Sequence, residues 1–193
     1  MIQSRKDYKF YIDQDRKNLG LGHYSLKEWL FPNYIWKFQK LLRKVEYYSN
    51  TNQTLLGKAY LIFLRMKLRK LQLRLGFSIP INVFGPGLSI AHYGSIVINP
   101  NTRIGTNCRL HSSTNIGASG GDKKAPQIGD NVYIGPGAII FGDIEIANNV
   151  TIGANATVNK SCQEEFVVLA GSPAKIVKHW DKSWLQFNMV AEK

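Results

Sequence analysis

Acidic residues are in short supply. Thirteen Asp and Glu face 25 Lys and Arg among 193 residues, a formal charge of +12 at pH 7. Such an excess calls for an acidic partner: nucleic acid, a phosphorylated ligand or an anionic membrane surface. Cysteine is scarcer still. Cys108 and Cys162 are too few for a disulfide framework and lack metal-ligand spacing, so they read as reduced core thiols. The four histidines, His23, His92, His111 and His179, have no acidic cluster near them that would complete three or four ligands, so no metal site is expected. Apolar runs are short. None is long enough to span a bilayer and none follows the basic start Met1 to Arg16, so neither a transmembrane helix nor a signal peptide is expected, and the chain reads as cytoplasmic. Other catalytic signatures are missing too: there is no Gly-x-Ser-x-Gly elbow, Walker loop or Rossmann glycine fingerprint.

What the chain does have is a beat of six. Ile98, Ile104, Leu110, Ile116, Ile128, Ile134, Ile140, Ile146, Ile152 and Val158 keep it, and Gly105, Gly117, Gly129, Gly135 and Gly153 follow five of them directly. A period of six fits neither a helix nor a flat strand, so it is an internal repeat, and it predicts a β-helix. Four positions after each aliphatic comes a smaller inward candidate: Thr102, Cys108, Thr114, Val132, Ala138, Ile144, Val150 and Ala156. Two inward residues per hexad suit a triangular coil of short strands joined at tight corners. The beat fails twice. Phe84, Ile90 and Ile96 sit two residues out of phase with Ile98, Ile104 and Leu110, and residues 117–127 interrupt it with a glycine-rich stretch around Asp122. An inward Asp122 would bury a lone carboxylate, so the excess residues are expected to protrude as a loop, beside His111.

Three regions follow: helical residues 1–77, a coil over 78–178, and a tail over 179–193 with a short amphipathic helix from Trp180. Within the first, Ile35, Phe38, Leu41, Leu42, Val45 and Tyr48 fall on one helical face that residues 49–52 end, and a second helix runs from about Thr54 to Leu75. This hairpin of residues 33–75 carries most of the net charge, with Lys37, Lys40, Arg43 and Lys44 in its first helix and six further basic residues in its second. It reads as a cap or oligomerising element over the open end of the coil, or as a peripheral anchor on an anionic leaflet. No binding motif accompanies the charge, so nucleic acid is not expected as a partner. Residues 167–178 are expected to leave the coil.

His92 and His111 are the candidates for chemistry. His111 directly follows inward Leu110 and so points outward; His92, two residues after Ile90, does the same on the earlier phase. Their separation of 19 residues is about one coil, which sets them on neighbouring turns of one face. Outward imidazoles suit a general base acting on a hydroxyl, the alternative being ordinary exposed or hydrogen-bonded histidines.

Four segments, in order, carry a family resemblance: Phe84-Gly85-Pro86-Gly87-Leu88-Ser89-Ile90-Ala91-His92, Ile116-Gly117-Ala118-Ser119-Gly120-Gly121-Asp122, Ile128-Gly129-Asp130-Asn131-Val132-Tyr133-Ile134-Gly135 and Ala170-Gly171-Ser172-Pro173-Ala174-Lys175. The set resembles the serine acetyltransferase branch of the hexapeptide acyltransferases over about the C-terminal half. That resemblance implies a left-handed parallel β-helix, a homotrimer with active sites between subunits, and acetyl-CoA as donor. It assigns His92 as the catalytic base, with His111 an added outward imidazole that assists or orients it. It places Gly117, Ala118, Pro136 and Ala154 along the pantetheine arm. Lys160 and Lys175 fall where the nucleotide phosphates would lie, with solvated surface charge as the alternative.

The departures from the family pattern shape the expected acceptor. The aspartate that precedes the catalytic histidine in serine-specific members is Ala91 here, the upstream aspartate that orients the imidazole is Phe77 or Ser78, and a further loop histidine is Ala125. Losing groups that would hold an amino acid's ammonium implies a sugar or glycan hydroxyl, lipid-linked in surface polysaccharide assembly, rather than serine. Serine O-acetylation for cysteine biosynthesis and a non-catalytic β-helix that binds or scaffolds are the two rivals.

Overall fold

The computed structural model describes residues 1–22, 32–51 and 54–180; the expected tail helix and His23 lie outside them. The coil is a left-handed parallel β-helix of three sheets. Sheet A stacks β1 (Phe77–Ser78), β3 (Ile96–Ile98), β6 (Thr114–Gly117), β9 (Ile139–Phe141) and β12 (Thr157–Val158). Sheet B stacks β4 (Arg103–Ile104), β7 (Gln127–Ile128) and β10 (Glu145–Ile146), with Phe84 and Cys162 bridging at its two ends. Sheet C holds β2 (Ser89–Ile90), β5 (Arg109–Leu110), β8 (Tyr133–Ile134), β11 (Thr151–Ile152), β13 (Val167–Ala170) and β14 (Lys175–His179). Every residue of the six-beat is buried, as are the smaller inward residues four positions on. Burying each of these isoleucines contributes roughly 1.5–3 kcal/mol, and the repetition explains how two-residue strands persist.

Pairing shows where the beat fails and why. Ile98 pairs with Ile116, a step of 18 residues, whereas Phe84 bridges to Ile104 and Ile90 pairs with Leu110, steps of 20. Phe84 and Ile90 therefore share the phase of the later coils, and two extra residues lie in the corner between β2 and β3. Both Ile96 and Ile98 still point inward, stacked on Thr114 and Ile116. The step from Ile116 to Ile140 is 24, so a whole hexad loops out between β6 and β7. Asp122 is exposed there, in a turn closed by its N–H to the Ser119 carbonyl.

The corner between sheets B and C holds an asparagine ladder. Asn107, Asn131 and Asn149 adopt φ of 57, 58 and 59°, the left-handed conformation that asparagine tolerates better than other side-chain-bearing residues. Asn107 Nδ2 donates to Asn131 Oδ1 at 3.1 Å and Asn131 Nδ2 to Asn149 Oδ1 at 3.0 Å. Asn18, the last residue of α1 (Arg5–Asn18), donates to Asn107 Oδ1 from above, and Glu165 accepts from Asn149 below.

Among the described residues, three helices cover the first coil: α1, α2 (Tyr34–Thr51) and α3 (Leu55–Leu75). Ile35, Phe38, Leu42 and Val45 of α2 face Leu64, Leu68, Leu71 and Leu75 of α3 and the coil's first residues in one continuous core. The α2 helix runs past the expected stop at Ser49 because Asn50 Nδ2 is held by the Ile2 carbonyl and Asn82 Oδ1, and Thr51 Oγ1 donates to the Tyr47 carbonyl. Polar side chains then satisfy the strand edge that a solenoid end leaves open. Asp15 Oδ1 accepts from the N–H groups of Gly87 and Leu88, Arg43 donates to the carbonyls of Phe84 and Gly85, and Gln39 donates to that of Leu88.

Three expectations change. Arg43 is no part of a basic surface: it is wholly buried, bonded to Asp15 at 2.8 Å and Glu46 at 3.0 Å. Burial alone would push its pKa down, but the two carboxylates more than offset this and hold it above its ordinary range. Residues 167–178 do not simply leave the coil either. The β13 strand stacks in parallel on β11 as a further level of sheet C, and only β14 departs, folding back antiparallel on β13. Finally, the protruding loop is not beside His111. It leaves the corner between sheets A and B, tied by Lys124 to Asp143 at 2.6 Å and by Asn101 to the Lys123 carbonyl, while His111 sits across sheet A.

Candidate active site

His111 follows β5 at the corner from sheet C to sheet A, its N–H bonded to the Ile134 carbonyl and its own carbonyl accepting from Thr114 Oγ1. His92 lies one coil earlier, in the corner lengthened by two residues, and that extra length carries it out into solvent. The two rings stand 6.0 Å apart between centroids, and Tyr133 of β8 lies 5.1 Å beyond His111. These three rings form a column along one edge of the coil.

The two imidazoles differ in environment. His92 is exposed, while His111 is half-buried with Nε2 enclosed and without a hydrogen-bond partner. Desolvation, then the charges of Arg109 and His92, hold the His111 pKa below its ordinary 6.5. His111 is therefore neutral at pH 7. Because protonation is disfavoured only in the fold, stability should rise with pH between the lowered value and 6.5 and be flat above. Following the imidazole resonances by NMR is expected to show His111 titrating below 6.5, with the midpoint moving up in Arg109→Ala. A wild-type midpoint at or above 6.5 would contradict this environment.

The other site residues divide between two edges. Pro136 and Ala154 continue the histidine edge: the Gly137 N–H donates to the Ser112 carbonyl and that of Asn155 to Pro136, which stacks Ser112, Pro136 and Ala154 on successive coils. Gly117 and Ala118 lie across sheet A, where β6 ends and the loop begins, and Lys160 is exposed on that same edge after β12. Lys175 is exposed at the start of β14, opposite Ala170. One copy therefore brings His92, His111, Pro136 and Ala154 together and leaves Gly117, Ala118 and Lys160 apart from them. A groove of about 390 Å³ on sheet B, over Arg103, Gln127 and Glu145, and a hollow of about 370 Å³ between α3 and β1 both exclude the histidine edge.

Arg109 and Tyr133 were missed by sequence reasoning. They occupy the position just before an inward aliphatic, paired as Ser89–Arg109–Tyr133–Thr151 across sheet C. Aligning the hexads by coil would have found them, but coils of 20 and 24 residues put the two out of step with a simple count of 18.

Residues 125–160 match the family described as bacterial transferase hexapeptide (six repeats). Those residues lie within the coil, from just before β7 to just after β12. A serine acetyltransferase of Staphylococcus epidermidis is 38% identical over 96 residues, which are 49% of this chain and 45% of that protein. The chain thus spans less than half the length of this curated relative. The crystal structure of a Neisseria gonorrhoeae serine acetyltransferase superposes with a TM-score of 0.72 at 23% identity, covering 95% of this chain and 72% of that one. A serine acetyltransferase in complex with CoA gives 0.64 at 22% identity, covering 89% and 68%.

These comparisons correct the expected acceptor. The relatives are serine acetyltransferases, and none of those named is a sugar O-acetyltransferase of polysaccharide assembly. The sugar reading rested on family groups absent here, two aspartates and a loop histidine. Their absence removes one means of holding an ammonium group, but it does not build a sugar site.

Proposed function

We propose that the protein is an acetyl-CoA-dependent serine O-acetyltransferase, and the observation that carries this is the His92–His111 pair on a coil whose relatives bear that name. His92, exposed at the corner, takes the proton from the acceptor hydroxyl as the oxygen attacks the thioester carbonyl. The tetrahedral intermediate collapses by breaking the carbon–sulfur bond, and His92 returns the proton to the departing CoA thiolate. His111, kept neutral by its desolvation, sets no positive charge against the base and orients it through their ring contact. Pro136 and Ala154 offer the pantetheine arm a narrow track along the histidine edge, and Gly117 and Ala118 offer a second track across sheet A. Lys160 and Lys175 supply charge for the nucleotide phosphates.

Two half-sites on opposite edges of sheet A cannot serve one acetyl-CoA within a single copy. A homotrimer setting one subunit's histidine edge against a neighbour's loop edge joins them. Release of free thiol from acetyl-CoA is expected to depend on serine and to saturate with it. Serine-independent background release, with no increase at any serine concentration, would overturn the acceptor; acetyl transfer to a hydroxyl compound in place of serine would preserve the chemistry alone.

A further inference from the structure

The α3 helix has two apolar faces. One buries Leu64, Leu68, Leu71 and Leu75 against α2 and the coil. The other faces solvent. Leu55, Ala59, Ile62, Met66 and Leu73 recur at helical spacing along one line about 27 Å long. Leu55 is 84% exposed and Leu73 75%, and Leu56 at 85% and Phe63 at 45% widen the stripe on one side. An apolar stripe this long in contact with water needs a partner.

Charge says which. Lys58, Arg65 and Arg69 run along one flank of the stripe, and Lys67, Lys70 and Arg74 along the other. No Asp or Glu occurs anywhere between Leu55 and Leu75. Lys67 arches over the Phe63 ring with Nζ 4.4 Å from its centroid, an apolar stem laid against the stripe with the ammonium at its margin. Among the basic residues of α2, Arg43 is buried, Lys37 and Lys40 lie over the rings of Tyr34 and Trp36 on their own helix, and Lys44 lies over Tyr60, whose ring stacks with Phe63 of α3.

We propose that this face of α3 docks on an anionic lipid surface, with the stripe entering the headgroup boundary and both basic flanks meeting acidic headgroups. A second copy docking through the same helix would set two acid-free, sixfold basic faces against each other, a like-charge contact that costs free energy. Nucleic acid would use the flanks and leave the Leu, Ile and Met stripe without a role. The proposal is independent of the acceptor, because it uses no residue of the histidine edge.

The test is co-sedimentation of the full chain with vesicles of phosphatidylcholine alone or with about one third phosphatidylserine. Partition onto the anionic vesicles is expected to exceed that onto the neutral ones at least tenfold and to fall steeply as salt is raised. In Ile62→Glu/Met66→Glu, a double change on exposed positions, partition is expected to fall at least tenfold with the thermal unfolding midpoint unchanged. Equal partition onto both vesicle types, or none onto either, overturns the proposal. So does a shift in oligomeric state in that variant where the wild-type protein leaves vesicles untouched, which would make the stripe a contact between copies.

Discussion

Replacing His92 by Ala is expected to lower kcat for acetyl transfer by about 10² to 10⁴-fold, the span a positioned general base contributes. Its exposure makes this a clean test: the ring fills no cavity, so thermal unfolding should be unchanged and any loss assigned to chemistry. The KM for acetyl-CoA should move little, because in the proposed mechanism the base acts on the acceptor hydroxyl. Transfer at near wild-type rate in this variant would remove His92 from the mechanism. His111→Gln should behave otherwise. Gln keeps a polar group near the enclosed Nε2 position but presents no second ring, so it is expected to weaken kcat less than His92→Ala while shifting the acid limb of the pH profile.

Arg43→Met is expected to destabilise the fold by about 3–5 kcal/mol, the cost of leaving buried charge without its partner. Methionine preserves most of the volume, but Asp15 and Glu46 then face each other across a buried site, and the Phe84 and Gly85 carbonyls lose their donor. For a chain of this size that corresponds to a drop in Tm on the order of 10 °C. A lysine at this position would retain the charge but not the fork that reaches both carboxylates and both carbonyls at once, so Arg43→Lys should recover only part of the loss. A variant with wild-type stability would mean that the cap is held by the apolar contacts of α2 and α3 alone.

These two residues also mark what the sequence discloses. The coil was legible because inward packing imposes one rule on every turn, and residues as far apart as Ile98 and Val158 obey it. His92 and His111 could be paired because their positions are fixed by neighbours Ile90 and Leu110, which lie in register. Arg43 reads as surface charge in the sequence because one of its two carboxylate partners, Asp15, is 28 residues away on another helix, and only the packing of α1 on α2 joins them. The reversal at β14 is hidden for a similar reason. Its exposed residues carry no inward beat, and its pairing with β13 is decided by the turn between them. Tyr133 falls out of view through coil length, and the acceptor was misjudged because it was argued from residues that are absent rather than from any that are present.

The helical cap bears on more than the first coil. A parallel β-helix with a bare end is a template onto which a second copy can add its strands, and then a third, without limit. Here the leading edge is already bonded to Asp15, Gln39 and Arg43, and at the opposite end sheet C closes with a strand running the other way, which offers a stacking copy the wrong direction of pairing. Strand addition is thereby blocked along Phe84–Leu88 of the first coil and, on sheet C, at the last described level. Copies that meet side by side instead, through faces related by a rotation that closes, form a ring rather than a filament.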